Sequence, residues 1–390
     1  MSTRALQPRG RLLMGPGPSS VHPTVSEAMA KPMIGHLDPQ FLEIMDEIQS
    51  MLRGAFRTQN QLTIAVSGTG SAGMEAAFVN VVEPGDEVLV CSNGVFGTRM
   101  SDITERIGGT LRKIERPWGE VFETQEIADA LKAHPNVKVV AIVHAETSTG
   151  AHQPLAEMGR LCLENDCLLL VDCVTSFAGE ELAIDDWNID VAYSGTQKCL
   201  SCPPGLAPVT FSERALEKLR GRSSKVLSWY LDLSMIEKYW TEGSRAYHHT
   251  APISMNYALH AALSLVEAEG LVASIERHRS SSRALVAGLD ALGFRMFAQE
   301  GHRLPMLNSV WIPDGVDDAA TRRTLLLDHN IEIGAGLGAV AGKIWRIGLM
   351  GESSRRENVA RFLAALESTL YAQGAISEIG KGLEAASRAS

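Results

Sequence analysis

Between about residues 60 and 210 the sequence repeats one pattern: a short, unbroken apolar run, a stretch of helical period, then another apolar run. That texture belongs to parallel strands joined by crossover helices, and it leaves few folds open. The runs at 62–66, 87–91, 137–143, 168–171 and 191–193 are the expected strands, with helices expected at 72–82, 100–107, 124–134 and 155–165. Hydrophobicity along each run is continuous rather than alternating, so both faces of the sheet should be covered. The expectation is an open, mainly parallel α/β sheet, a type that binds ligands at the carboxyl ends of its strands.

A chain of 390 residues exceeds the size at which a single core stops growing, so a second lobe is expected. The texture changes accordingly: a helical segment at 255–292 precedes strands at 309–312 and 344–347 and helices at 319–328 and 355–372. We read a large domain over 1–254 and a smaller C-terminal α+β domain over 255–390, with the apolar-poor tail from Gly374 as a loosely held end.

The net charge of −10, with no block of Lys and Arg, excludes a nucleic-acid surface. No run approaches the ~18 apolar residues of a membrane span, and the first residues lack the apolar centre of a secretion signal. The expected setting is the cytoplasm, and the expected partners are small molecules and a second copy of the chain. Six cysteines suit reduced, buried thiols, and Cys199-Leu-Ser-Cys202 lacks the further ligands of a zinc site, so no metal is expected.

The chemistry concentrates at strand ends. Ser67-Gly-Thr-Gly-Ser-Ala-Gly73 follows the first strand and opens a helix, where free backbone N–H groups beside glycines make a phosphate cradle. Gly68, Gly70 and Gly73 also fit G-x-G-x-x-G, but a dinucleotide fold needs an acid at the carboxyl end of the next strand. Here Asp86 and Glu87 stand at its start. A monophosphate site is the better reading. Asp172 ends the run 168–171, and Lys198 follows the run 191–193, so both reach the same sheet edge as the cradle. A phosphate cradle, a lysine and a carboxylate are what pyridoxal 5′-phosphate (PLP) needs. The lysine forms the Schiff base and later moves the proton, and the carboxylate keeps the pyridine nitrogen protonated.

With these residues in view, the sequence resembles the class V aminotransferases of PLP fold type I, most closely the alanine–glyoxylate and serine–glyoxylate aminotransferases. The resemblance runs from Leu13-Met-Gly-Pro-Gly-Pro18 to about Arg361. It includes His144-Ala-Glu-Thr-Ser-Thr-Gly150, Ser194-Gly-Thr-Gln-Lys198, Trp229-Tyr-Leu-Asp232, Tyr247-His-His-Thr250 and Arg346-Ile-Gly348. It implies a large PLP domain with a smaller C-terminal domain, Lys198 as the Schiff-base lysine and Asp172 as the pyridinium partner. Thr69, Gly70 and Gln197 match phosphate-side contacts, and Thr147 matches the hydroxyl residue beside the ring.

The sequence departs from the family's pattern at two of these positions. Phe96 stands where many members stack a tryptophan, and Ser71 where some have histidine. The resemblance further implies that Tyr247 and Thr250 reach the neighbouring subunit's phosphate, which makes a homodimer with shared sites. It also implies that Arg346 grips the substrate carboxylate and that Gly17 and Gly35 border the pocket.

The expected activity is transfer of an amino group from alanine or serine to glyoxylate or pyruvate by a ping-pong mechanism. Pyridoxamine–pyruvate aminotransferase is the alternative within the family. A desulfurase is disfavoured because Cys199, beside Lys198, cannot sweep toward a substrate sulfur. A non-catalytic sensor of this fold is disfavoured because lysine and aspartate are both present, and a dinucleotide-dependent dehydrogenase by the misplaced acid.

Overall fold

The structure, a computed structural model, describes residues 6–241 and 245–389. Its centre is a seven-stranded sheet: β1 (Leu62–Ser67), β2 (Glu87–Ser92), β3 (Thr110–Glu115), β4 (Val137–Val143), β5 (Leu168–Asp172), β6 (Val191–Tyr193) and β7 (Leu206–Phe211). The spatial order is β1-β7-β6-β5-β4-β2-β3. All neighbours are parallel except that β7 runs antiparallel to both β1 and β6. The continuous apolar runs are buried along β4 to β7, as strands covered on both faces must be. The carboxyl ends of β1, β2, β4, β5 and β6 therefore open on one edge.

Two strands lie outside the apolar runs named above. β3 is a half-exposed edge strand whose Thr-Leu-Arg-Lys-Ile-Glu sequence carries little apolar signal. β7 carries Pro208, a residue that argues against an interior strand; it is tolerated while its carbonyl accepts from Ser194 N at 2.7 Å.

A second lobe is built on a three-stranded sheet of β8 (Leu307–Trp311), β9 (Gly334–Ala335) and β10 (Ile344–Gly348), with β10 in the middle. Trp345 and Ile347 of β10 point into a second apolar core with Leu285, Phe294 and Phe362, and this places Arg346 on the opposite face. The helix Ile253–Glu269 lies almost wholly beyond residue 254, yet its Tyr257, Leu259 and Leu263 join the larger core. Where the sequence suggests one helical segment over 255–292, the chain forms two helices, Ile253–Glu269 and Leu271–Ala291, bent by 85°. The break is Gly270, at φ 85°, a conformation that an L residue seldom adopts.

The tail is not a loose end. Its helix Lys381–Arg388 buries Gly382 and Ala386. The buried Glu367 carboxylate accepts from the backbone N–H groups of Gly380 and Leu383, the latter at 2.9 Å, and so caps that helix from a distance. The N-terminal segment ties the lobes together. Leu12–Leu13 pairs with Ile331–Glu332, and the chain then runs to the open edge of the large sheet.

Candidate active site

The glycine loop after β1 divides its labour. Gly68 turns at φ 154°, where a Cβ would come within 2.5 Å of that of Ala72. Gly73 packs its helix on β7 so closely that a Cβ would lie 2.9 Å from that of Ala207. Gly70 starts the helix Gly70–Val81 against Gly195. The N-cap residue Thr69 makes no side-chain capping bond, so its hydroxyl and the first N–H groups of the helix are available to an anion. Ser71 occupies the exposed second position of the same helix. The Gln197 side chain approaches this loop across Gly195, and its buried Oε1 has no hydrogen-bond partner among the described residues.

β5 and β6 are paired in register, and their last residues, Asp172 and Tyr193, stand side by side. Tyr193 Oη donates to Asp172 Oδ2 at 2.8 Å and Val174 N to Oδ1 at 2.9 Å. Burial pushes the Asp172 carboxyl up to about 7, against these two hydrogen bonds.

Lys198 follows on the loop after β6. Its Nζ donates to the Pro16 carbonyl, and Gly17, at φ 100°, lies so near that a Cβ would be 2.7 Å from Nζ. Ser19 fastens the same loop through its N–H to Gln197 O at 2.9 Å and its hydroxyl to Lys198 O at 2.7 Å. Burial, and then the Arg346 charge, lower the Lys198 amine to about 8.

Arg346 reaches this edge from the other lobe. Nη1 donates to Thr147 O at 3.2 Å and Nε to Ala335 O at 2.8 Å, and burial brings the guanidinium down to about 10. Thr147 itself pairs its hydroxyl with that of Thr175 at 3.0 Å. Phe96 is half-buried in the first turn of the helix Val95–Arg106, with the Arg99 guanidinium 4.8 Å from its ring centroid.

Thus Gly17, Gln197, Lys198, Asp172, Thr147 and Arg346 gather around one edge with the Thr69–Ser71 loop. Gly35, Tyr247 and Thr250 are not drawn in by their own chain. Gly35 is exposed, and the exposed Tyr247 ring packs tilted against His36, with centroids 5.1 Å apart. Cys199 and Cys202 are buried thiols, both pushed up to about 12 by burial. Sequence reasoning missed Tyr193 and Glu146. Placing Asp172 and Tyr193 at the ends of parallel neighbours would have revealed the first.

A buried lysine, a buried carboxylate and an uncapped, glycine-rich helix start on the carboxyl edge of an open sheet are the groups that a PLP-dependent enzyme needs. The uncapped helix start at Gly70, with its free N–H donors, fits such a cofactor's phosphate. The family model of aminotransferase class-V matches residues 18–363, and the chain belongs to that family. It is 42% identical to the (S)-ureidoglycine–glyoxylate transaminase of Bacillus subtilis (strain 168), over 96% of this chain and 94% of the relative. It superposes on the alanine–glyoxylate aminotransferase of a Nostoc species with a TM-score of 0.93 and 51% identity, covering 95% and 98% of the two chains. The pyridoxamine–pyruvate aminotransferase of Mesorhizobium loti matches with a TM-score of 0.91 and 31% identity, over 96% and 95%.

Proposed function

We propose that this transaminase takes the amino group of a small α-amino acid with a single carboxylate, alanine or serine, and delivers it to glyoxylate, with pyruvate as a second acceptor. The observation that carries the reading is Arg346. It is a buried guanidinium anchored by two carbonyls, and its charge helps to lower the Lys198 amine. A planar guanidinium binds one carboxylate in a fixed orientation, which would set the α-carbon of an amino acid against Lys198. A second carboxylate on the substrate would be buried without a partner. Pro16 and Gly17, pressed on Nζ, leave room for small side chains. Glyoxylate stands in the names of two of the relatives above, which supports it as acceptor.

In this reading Thr69, Gly70, Ser71 and Gln197 hold the phosphate, Phe96 stacks on the ring, Thr147 lies beside it, and Asp172 faces its nitrogen. The bound cofactor supplies the electron sink that lets the substrate's Cα–H bond ionise. Lys198 Nζ is the attachment point. As a free amine its pKa lies near 8, and it would serve as the base that carries the proton between carbon atoms.

We assign the active unit as a homodimer. Tyr247 is 57% exposed and Trp229 63%; Trp229 stacks on His248 at 4.5 Å, Tyr230 packs near the same ring, and Tyr247 packs near His36. Tyr230 Oη and His249 Nε2 bond to Ser67 at the root of the glycine loop, which joins these rings to the cradle. Tyr247 and Thr250 would thus serve the partner's phosphate, and Gly35 would border the partner's pocket. Six unpaired, buried thiols suit a reducing compartment, so we place the enzyme in the cytoplasm. The test is the isolated half-reaction. Alanine or serine should bleach the visible band of the holoenzyme and glyoxylate should restore it. A band that alanine and serine leave unchanged would defeat the reading.

A further inference from the structure

Glu146 is 1% exposed and is not one of the residues assigned to cofactor or substrate. It lies two residues beyond the His144 backbone that continues β4, inside a tight turn that ends at Gly150. Its carboxylate points at the start of the helix Val95–Arg106, whose N-cap residue is Gly94 and whose first turn contains no acidic side chain. Glu146 Oε2 accepts from Phe96 N at 3.1 Å. Oε1 accepts from Ser148 N at 3.0 Å and from Ser148 Oγ at 2.6 Å. Ser148 Oγ in turn accepts from Val95 N at 3.1 Å. Two residues from a distant turn therefore do what an N-cap side chain normally does. The fit is close: a Cβ on Gly94 would sit 2.4 Å from the Glu146 Cδ.

The turn also bears on the other groups of the edge. Between Glu146 and Ser148 lies Thr147, whose carbonyl holds Arg346. The Glu146 charge raises the proton affinity of Asp172, Lys198 and Arg346. Burial raises the Glu146 carboxyl itself, while its hydrogen bonds to Ser148, Phe96 and Gly97 oppose that shift. A buried carboxylate costs stability unless its oxygens are satisfied, and here N–H and O–H donors meet both of them.

We propose that Glu146 is a positioning residue that fixes the Phe96 ring at the cofactor by capping its helix from across the sheet edge. This rests on the reading of Phe96 as the stacking residue. An amide at 146 cannot reproduce the contacts, because its NH2 would face a donor either at Phe96 N or at Ser148 N.

The test is a double-mutant cycle on the holoenzyme's dissociation constant for pyridoxal phosphate, measured by equilibrium dialysis, with thermal melting as a check on folding. Glu146→Gln should weaken retention about 5- to 20-fold with Phe96 present, and less than about 2-fold in a Phe96→Leu background. Equal losses in the two backgrounds, or no loss in either, would overturn the proposal and leave Glu146 a general structural residue. If Phe96→Leu alone left retention unchanged, the stacking reading would fail and the proposal with it. Should Glu146→Gln not fold, Ser148→Ala is measured in the same cycle. It removes one anchor of the turn and should show the same dependence on Phe96 at about 2- to 4-fold; an equal loss in both backgrounds again overturns the proposal.

Discussion

Tyr193 Oη donates to Asp172 Oδ2 at 2.8 Å, and the two residues end adjacent parallel strands in register. With Val174 N on the other oxygen, the carboxylate is aimed before any ligand arrives, and burial holds it near 7. Asp172→Asn should lower kcat by about two to four orders of magnitude while the fold persists, since an amide cannot stabilise a protonated pyridine. Tyr193→Phe should cost a smaller factor, about 3- to 10-fold, by loosening that aim. Steady-state kinetics and melting curves read both. Near-normal turnover in Asp172→Asn would make it a structural residue.

Borohydride reduction of the holoenzyme should fix the cofactor on Lys198, and peptide mapping by mass spectrometry locates it. Lys198→Ala should retain weak cofactor binding through the phosphate cradle while transamination becomes negligible. Label on another lysine would refute the assignment.

Lys198 also carries a pH signature. Its amine is lowered from 10.5 to about 8 by burial and Arg346, so between those values the folded apoenzyme holds it neutral while the unfolded chain protonates it. Unfolding then takes up a proton, and stability contributed by this group rises with pH across that window. Acetylation of Lys198 in the apoenzyme, followed by peptide mapping, should accelerate with pH and level off above about 8. A rate still climbing to 10 would show an ordinary, solvated lysine.

Much of the site was legible because its chemistry sits at strand ends. Asp172, Lys198 and the Gly68–Gly73 loop each follow an apolar run, and the sheet brings those ends together. What escaped depends on contacts between distant segments. Glu146 and Glu367 cap helices that lie far from them in sequence, and no local pattern marks a remote cap. β3 escaped because an edge strand needs no apolar run, and β7 because Pro208 speaks against a strand. The helix break at Gly270 is set by a positive φ that periodicity alone does not register.

If Tyr247 and Thr250 serve the partner's cofactor, two crippled variants should rescue each other. Mixing Lys198→Ala with Tyr247→Ala under subunit exchange should restore activity toward a quarter of the wild-type level, since random pairing puts both lesions in one of the two sites in half of the dimers. No recovery, with exchange proven and each parent inactive, would count against shared sites.

The substrate claim meets its sharpest test in a panel of amino donors against glyoxylate, comparing kcat/KM for wild type and Arg346→Ala. Arg346→Ala should lose about 2 to 4 kcal/mol of transition-state stabilisation for donor and acceptor alike, because each would bind through the same carboxylate. For the wild type, alanine or serine, each with one carboxylate, should exceed glutamate and pyridoxamine. Glutamate in first place would contradict the single-carboxylate site, and pyridoxamine in first place would move the enzyme to the chemistry of its Mesorhizobium loti neighbour.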